Sequence, residues 1–438
     1  MSASALPDRR GVAILGTRYP VVLPNVRDPR LHLAAVIVSL QVLGQVAFDF
    51  RLSIAQILVS VVTCAVLEVA IVLRRQRALV WPASALLTGN GVAFILRVPG
   101  TEHGDWWSTN GWWIFAGTAA VSLLSKYLIC LRGAHVFNPS NFGLVLCFLV
   151  LGPELADPLD FWWGPLSPAL VLALAIIVAG GFAILSRLHL LALALSFWMV
   201  FVGAMAVVAA TGHAMTARWH PGPVEGLHFL SILAFSPEIL VFLFFMLTDP
   251  RTVPAGRRGR IAFGVSVALV AALLIAAAPT EFWAKVGVLA ALALVCAARA
   301  LVSIAPPLRA GRRGVLALAA VGVAVYAGAL VTTGANTRAD AVAAAPPALR
   351  TTARLGARVV VGASKGVDSR LDRRTAMRIA ADLQRRRPAV RLHRVTLWLE
   401  AGSDQLPVIV ARLEGRSLEQ TVEVALSRNG YGIARVRE

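Results

Sequence analysis

The residues best placed to do chemistry lie in a polar heptapeptide, Phe137-Asn-Pro-Ser-Asn-Phe-Gly143, between two hydrophobic stretches. Amides, a hydroxyl and a proline cannot face lipid, because hydrocarbon offers them no hydrogen-bond partner. Asn138 and Asn141 could hold the polar edge of a bound ligand. They could equally cap a short helix or bond to backbone freed by Pro139. The segment therefore predicts a ligand site or an interrupted membrane helix.

Two further polar groups interrupt apolar stretches, at residues 82–91 and 236–254. Their candidate binding residues are Ser84, Thr88, Gly89, Glu238, Thr248 and Asp249. Thr248 and Asp249 precede a proline, so they either end a helix or offer acceptor oxygens to a cation or a ligand hydroxyl. Glu238 follows the helix-breaking Pro237. An unpaired charge at membrane depth costs about 2.5 to 3.5 kcal/mol, so Glu238 must pair, take up a proton or face water.

Two more ionisable residues, Glu68 and Lys126, lie within or at the end of apolar stretches. Lys126 could extend to the membrane surface along its apolar stem. It could instead pair with an anionic ligand or with a carboxylate. The sequence leaves both interpretations open, so Lys126 is also a candidate ligand-binding residue.

The composition indicates an integral membrane protein. Hydrophobic residues make up 58% of the chain, charged residues 15%, and the mean hydropathy is +0.72, well above the values of soluble domains. A helix that crosses the hydrocarbon core needs about 20 apolar residues. The candidate spans lie near residues 32–50, 53–73, 79–97, 110–131, 141–153, 164–185, 188–210, 228–247, 260–278, 282–301 and 313–333.

Arginine-rich loops alternate along these spans with loops that are poor in basic residues and often acidic, with Arg51, Arg97 and Arg218 as exceptions. The basic loops contain Arg74, Arg75, Arg77, Arg132, Arg187, Arg251, Arg257, Arg258 and Arg260. The loops between them contain Glu102, Asp105, Glu154 and Glu281. The positive-inside rule then predicts a cytoplasmic N-terminus and an extracytoplasmic C-terminus. This topology accounts for much of the net charge of +19, so the lipid bilayer, and not nucleic acid, is the predicted partner.

The prolines of the second and third polar groups suggest an internal repeat. Pro82 and Pro99 are 17 positions apart, as are Pro237 and Pro254. They belong to the third and eighth spans, so two copies would cross the membrane in opposite directions. Inverted repeats of transporters have this arrangement, with broken helices that meet around a ligand. Chance spacing of membrane prolines is the alternative.

The chain divides into five predicted regions. They are a cytoplasmic segment (1–31), a ten-helix membrane core (32–303), an extra transmembrane helix (304–332), a linker rich in Ala and Pro (333–349) and an extracytoplasmic α+β domain (350–438). In the last region, residues 371–386 have helical spacing, three segments from residue 393 onward alternate as strands do, and Asn429-Gly430 predicts a hairpin turn.

Cysteines and histidines give no metal-site pattern. The four cysteines form no CxxC pair, which argues against a zinc site, an iron–sulfur cluster and covalently attached haem. His213, Arg218, Trp219 and His220 share one loop on the predicted outer side. Anchoring at the membrane interface is the favoured interpretation of that loop, and a ligand contact is the alternative.

Three ordered motifs carry a family resemblance over roughly residues 20 to 300. They are SALLTG followed by an apolar run, HVFNPSNFG after a basic residue, and FFMLTDPRTVPAGRRGR. The chain resembles the membrane family that contains the B subunit of sodium-translocating NADH:quinone oxidoreductase and the D subunit of the Rnf complex. VVLPNVRDPRLHLAAVIVSLQVLGQ and TGHAMTARWHPGPVEG are more similar still to UnbU-type proteins of enediyne biosynthesis clusters.

The resemblance implies an all-α polytopic protein of a bacterial cytoplasmic membrane, with about ten core helices in two inverted repeats. It also implies bound flavin, electron transfer across the membrane and redox partner subunits. Phe137, Asn138 and Asn141 would hold the isoalloxazine ring. Relatives attach FMN to a threonine in an SGAT-type sequence, but the comparable loop here reads Thr211-Gly-His-Ala-Met-Thr216. The expected cofactor is therefore non-covalent FMN or riboflavin.

Two functions from different classes follow. One is a flavin-binding electron carrier, which would be a membrane oxidoreductase subunit. The other is a permease that moves a small molecule through the same broken-helix cavity. The similarity to UnbU-type proteins suggests a natural product as that molecule. Both need polar residues at the ends of half-helices, so the sequence does not separate them.

Overall fold

A computed structural model describes residues 11–14, 17–25, 28–159, 167–217, 223–304, 358–365, 371–386, 392–401, 407–415, 418–426 and 433–437. Eleven helices account for the first ten predicted spans. They are α1 (Pro29–Ala47), α2 (Ile54–Gln76), α3 (Ala83–Ile95), α4 (Trp112–Leu128), α5 (Pro139–Leu151), α6 (Pro168–Leu188), α7 (Leu191–Ala210), α8 (Gly226–Phe235), α9 (Pro237–Val241), α10 (Arg257–Ala276) and α11 (Glu281–Ile304). The eleventh span and the linker, residues 304–332 and 333–349 of the predicted scheme, lie outside the described residues apart from Ile304.

Seven helical segments in the described chain are long and apolar enough to cross a membrane. One of them is composite, because α8, α9 and the π-helical turn Phe242–Met246 follow one another with a break at Ser236. Helix α4 is slightly shorter, at 17 residues, and α3 and α5 have 13 residues each. The chain is thus a helical, multi-pass membrane protein, and the two shortest of these three helices are those whose sequences carry the polar groups at residues 82–91 and 137–143.

Local sequence sets where the helices begin. Ser53 and Gln56 form a capping box at the start of α2, in which each side chain accepts from the other residue's backbone N–H. Asn138 and Ser236 cap α5 and α9, and each is followed by a proline in the first helical turn, where the missing N–H costs nothing.

The helices of the first half pack in an order that recurs in the second half. Helix α2 packs against α3 and α4, and α4 packs against α5. In the second half α7 packs against α8 and α10, and α10 packs against α11. In both halves, two of these helices approach so closely that only glycine fits at the contact. A Cβ on Gly89 of α3 would lie 2.6 Å from the Ser60 carbonyl oxygen of α2, and one on Gly264 of α10 would lie 2.7 Å from the Leu193 carbonyl oxygen of α7.

Loops assigned to the same side by the arginine pattern contact one another. At the arginine-rich end the contacts are Arg132 with Ser303, His135 with Asp249, and Arg260 with His189. At the opposite end the contacts are Ser53 with Ser108 and Thr216 with Pro279. These contacts gather the named loops at two opposite ends of the helices.

The segment before α1 contains structure that the sequence did not predict. Strands β1 (Gly11–Ile14) and β2 (Thr17–Val22) form a hairpin, and β2 pairs in parallel with β3 (Leu79–Val80). Helix α1 begins at Pro29, so the boundary predicted at residue 31 is three residues late. Asp28 caps α1 and bonds to Arg30, whose hydrogen bonds lower the pKa of the Asp28 carboxyl.

Short strand pairs also connect the membrane helices. They are β4 (Leu96–Arg97) with β7 (Asp157–Pro158), β5 (Cys130–Leu131) with β6 (Ala134–His135), and β8 (Ala214–Thr216) with β9 (Pro223–Glu225). These pairs satisfy backbone groups where the chain leaves a helix.

The C-terminal region contains strands and one helix, as its sequence predicts. The elements are β10 (Arg358–Val361), α12 (Arg373–Arg386), β11 (Leu392–Ala401), β12 (Pro407–Gly415), β13 (Leu418–Leu426) and β14 (Ile433–Arg437). They form one five-stranded sheet in chain order, in which β10 is parallel to β11 and the other pairs are antiparallel. Strand β10 was not predicted, and Asn429-Gly430 lies outside the described residues.

Candidate ligand cavity and its charged groups

A cavity lies between the broken helix α8–α9 and helix α11. Its walls are mainly apolar, with Ile239, Phe242 and Met246 on one side and Val288 and Leu289 on the other. Its volume is about 60 Å³, which is room for a few water molecules. The cavity is therefore a narrow slot, smaller than the roughly 300 to 1,000 Å³ of most small-molecule sites.

Three charged side chains border this slot and bond to one another. Lys285 Nζ lies 3.0 Å from Glu238 Oε1 and 3.1 Å from Glu281 Oε1. All three are largely buried, with side-chain exposures of 11% for Lys285, 13% for Glu238 and 6% for Glu281. We call these three residues the cavity cluster. Ionisable groups within a membrane domain are costly, and they usually mark a substrate or ion pathway.

The chain positions the cavity cluster through two helix beginnings. Ser236 ends α8 and caps α9, where its Oγ accepts from Ile239 N at 3.4 Å, and Pro237 takes the first helical position. Glu238 thus lies in the first turn of α9, and Glu281 lies in the first turn of α11. A helix N-terminus favours negative charge, so both carboxylates occupy positions that the helix dipoles stabilise.

The two asparagines of the heptapeptide are buried, as predicted, at 8% exposure for Asn138 and 1% for Asn141. Asn138 Oδ1 caps α5 by accepting from Asn141 N, and Asn138 Nδ2 donates to the Met246 carbonyl at 3.1 Å. Asn141 Nδ2 donates to the Leu289 carbonyl at 3.0 Å. Met246 and Leu289 lie on opposite walls of the slot. The asparagines therefore bond to the backbone of both walls but do not line the slot themselves.

Ser84 and Lys126 belong to a second ionic cluster. Lys126 Nζ lies 2.8 Å from Glu68 Oε1 and 3.3 Å from Ser84 Oγ, and the Tyr127 hydroxyl donates to Glu68 Oε2 at 2.5 Å. We call these four residues the closed cluster. Of the two interpretations of Lys126, the structure supports pairing with a carboxylate. The sequence had offered Lys126 as a ligand contact, and its ammonium instead has a protein partner.

The other predicted residues also bond within the protein. Thr88 Oγ1 donates to the Ser84 carbonyl and Thr248 Oγ1 to the Phe244 carbonyl, each one turn back along its helix. Phe137 stacks on Phe142 at 4.8 Å between ring centroids. Asp249 Oδ2 lies 3.0 Å from His135 Nε2, and its Oδ1 accepts from Arg251 N. The helix-stop interpretation of Asp249 agrees with these bonds.

The ten predicted residues therefore do not form one shared pocket. The interrupted segments touch in pairs, because Gly91 approaches Ser140 and Asn138 bonds to Met246. Among the ten, however, only Glu238 lines the slot. The physical reason is that buried polar groups must be satisfied, and the folded chain satisfies most of these with nearby backbone. Sequence reasoning missed Lys285 and the role of Glu281, whose signal was an acid and a base four positions apart at the start of an apolar helix.

His213 differs from its predicted role. Its exposure is 0%, so it is not an interfacial anchor, and its ring packs edge-on against Phe229 at 4.9 Å. Neither ring nitrogen has a hydrogen-bond partner among the described residues. Burial lowers the pKa of His213 to about 4. The neighbouring Arg218, Trp219 and His220 lie outside the described residues.

The cavity cluster places carboxylate acceptors beside an ammonium donor at the border of the slot. At the asparagines, only Asn141 Oδ1 is buried without a partner among the described residues. No group of three or more His, Cys, Asp or Glu in the described part of the chain is arranged to hold a metal ion.

Comparison with known proteins adds no family. No protein-family model matches the chain, and no curated protein matches it. The cavity and its charged groups are therefore the basis for the functional argument.

Proposed function

We propose that this chain is an integral membrane protein that binds a small, flat and mainly apolar molecule in the slot between α9 and α11. The observation that carries the proposal is the cavity cluster, in which Lys285 joins Glu238 and Glu281 at the border of an apolar cavity. Charged groups placed beside an apolar cavity fix the orientation of a ligand whose remaining surface is apolar.

The first candidate ligand is a non-covalently bound flavin, FMN or riboflavin. The carboxylates would accept from the ring N–H and Lys285 would donate to a ring carbonyl. A bound flavin supplies electron-carrier chemistry, so the corresponding function is electron transfer across the membrane between partner proteins. The resemblance of the three sequence motifs to a flavin-carrying membrane family supports this choice.

The alternative is a permease for a small molecule, and one feature of the fold favours it. The helix that carries Glu238 is interrupted at Ser236 and continues into a π-helical turn at Phe242–Met246. Both features weaken a helix and provide places at which it can bend. Helices α1–α5 and α6–α11 would be two inverted repeats. Bending of this helix would let one repeat move against the other, so that the slot opens to each side of the membrane in turn.

The absorbance spectrum of the purified protein between roughly 350 and 500 nm separates the two functions. The flavin proposal predicts a yellow protein that retains about one flavin per chain, or one that takes up riboflavin or FMN when either is added. A colourless protein that takes up neither would overturn it and leave the permease as the better account.

We also propose the topology that the arginine pattern indicates, with a cytoplasmic N-terminus and residues 350–438 outside the cytoplasm. A reporter that is active only in the cytoplasm should stay silent when it is fused after Glu438. Activity of that reporter would require an odd number of the predicted crossings to be withdrawn.

A further inference from the structure

A second pocket lies at the arginine-rich end, apart from the slot. It is formed by the β5–β6 turn, the turn that follows Asp249 and the last turns of α11. Its basic residues are Arg132, Arg251 and Arg299. We call it the basic pocket. Its volume is about 260 Å³, compared with about 60 Å³ for the slot.

The three arginines of the basic pocket have no carboxylate partner among the described residues, and contacts with uncharged groups hold two of them. Arg132 Nη2 donates to the Ser303 carbonyl at 3.0 Å, and the Arg299 guanidinium lies over the Phe263 ring at 5.7 Å from its centroid. Within the described residues, no Asp or Glu oxygen lies within ion-pair distance of Arg132, Arg251 or Arg299. Arg132 and Arg299 are thus ordered by contacts that leave their charge uncompensated.

Asp249, which contacts the pocket residue His135, has both carboxylate oxygens engaged. Asp249 contacts His135 through Oδ2 and the Arg251 backbone N–H through Oδ1. His135 also lines the pocket, and the remaining titratable group there is the buried thiol of Cys296. The described groups that face the pocket therefore have an excess of positive charge.

We propose that the basic pocket binds the phosphate of an anionic ligand. Guanidinium groups match phosphate oxygens with paired N–H donors, and three of them line this one pocket. Basic pockets between membrane helices at the cytoplasmic side hold anionic lipid headgroups. A headgroup phosphate and a free phosphate share this chemistry. The proposal does not depend on what the slot binds.

The test is the thermal unfolding midpoint of the full-length chain in a neutral detergent, titrated separately with phosphatidylglycerol, inorganic phosphate and phosphatidylcholine. The basic pocket predicts a rise in the midpoint with phosphatidylglycerol, with inorganic phosphate or with both, but not with phosphatidylcholine. A rise with the lipid alone assigns a headgroup, and a rise with inorganic phosphate assigns a soluble ligand.

Matched variants tie that rise to this pocket. Arg251→Gln and Arg299→Gln should each raise the anion concentration needed for half of the effect by about tenfold, because each loses a charged hydrogen bond to the ligand. Arg187→Gln, which alters another arginine at the same end, should behave as the wild type. The midpoint without anion shows whether each variant folds. No rise in the wild type, or an equal loss in Arg187→Gln, would overturn the proposal.

Discussion

Two lysine-centred clusters lie in the membrane domain, and they differ in what surrounds them. In the closed cluster, both carboxylate oxygens of Glu68 are bonded, one to Lys126 and one to Tyr127, and Ser84 also contacts the ammonium. It borders neither the slot nor the basic pocket. In the cavity cluster, Lys285 joins two carboxylates that border the slot. Burial of charge is common to both, so access to a cavity is what distinguishes a candidate site from a structural ion pair.

The largest effect is expected from breaking the closed cluster. Lys126→Met should leave Glu68 buried without its charged partner and cost about 3 to 5 kcal/mol of stability. The double variant Lys126→Leu with Glu68→Leu should recover much of that loss, because it removes both charges. Unfolding of detergent-solubilised protein measures both. A single variant as stable as the wild type would mean that Glu68 does not depend on Lys126.

His213 contrasts with both clusters, because it is a buried ionisable group whose ring nitrogens have no hydrogen-bond partner in the described structure. Its pKa falls to about 4 in the folded protein, below the ordinary value of 6.5. The unfolded chain therefore binds the proton more readily, and stability should fall as the pH drops from about 6.5 to 4. The expected slope is roughly 1.4 kcal/mol per pH unit in that window.

His213→Phe removes the titrating group and should flatten this part of the pH–stability curve. His32→Gln changes an exposed histidine and serves as the control. Equal slopes for the wild type and His213→Phe between pH 6.5 and 4, in thermal unfolding, would show that His213 titrates normally.

Asn138 tests the link between the heptapeptide and the slot. Asn138→Leu should lose the helix cap, at a cost of about 1 kcal/mol, and the bond to Met246, at a cost of about 1 to 2 kcal/mol. If the slot holds flavin, its affinity for the protein should also fall, because the wall that carries Met246 loses its tether. Asn138→Ser keeps a capping oxygen and should restore most of the stability but not the affinity. Equal flavin content in all three folded proteins would limit Asn138 to a structural cap.

The smallest stability effect is expected at Glu238. Glu238→Gln keeps the size of the side chain and an oxygen that can accept from Lys285, so its cost should be about 1 kcal/mol. Glu68→Gln is its matched partner and should cost more, because an amide cannot accept from both Lys126 and Tyr127 through two oxygens. A larger loss in Glu238→Gln than in Glu68→Gln, measured by unfolding in detergent, would reverse the ranking of the two clusters.

The sequence predicts most of the helices because their signals are local. Ser53 with Gln56, and Asn138 with Pro139, mark helix starts within four residues of chain. The membrane spans follow from apolar length. The interruption at Ser236-Pro237 is equally visible, because proline is favoured in a first helical turn and excluded from a helix interior.

The site could not be predicted in the same way, because its contacts join distant parts of the chain. Asn138 bonds to a carbonyl 108 residues away and Asn141 to one 148 residues away. Side-chain type alone indicates that these amides need partners, but it does not say whether a ligand or the backbone supplies them. Lys126 shows the same limit, since its partner Glu68 is 58 residues earlier.

The most direct test of the account is the affinity of the purified protein for riboflavin, measured by fluorescence quenching in the wild type and in the matched variants Glu238→Gln and Glu68→Gln. We expect the dissociation constant to rise by about tenfold or more in Glu238→Gln, which loses a charged acceptor beside the slot. It should change by less than about twofold in folded Glu68→Gln, because that residue belongs to an independent cluster. Equal changes in both variants, or no riboflavin binding by the wild type, would contradict the account.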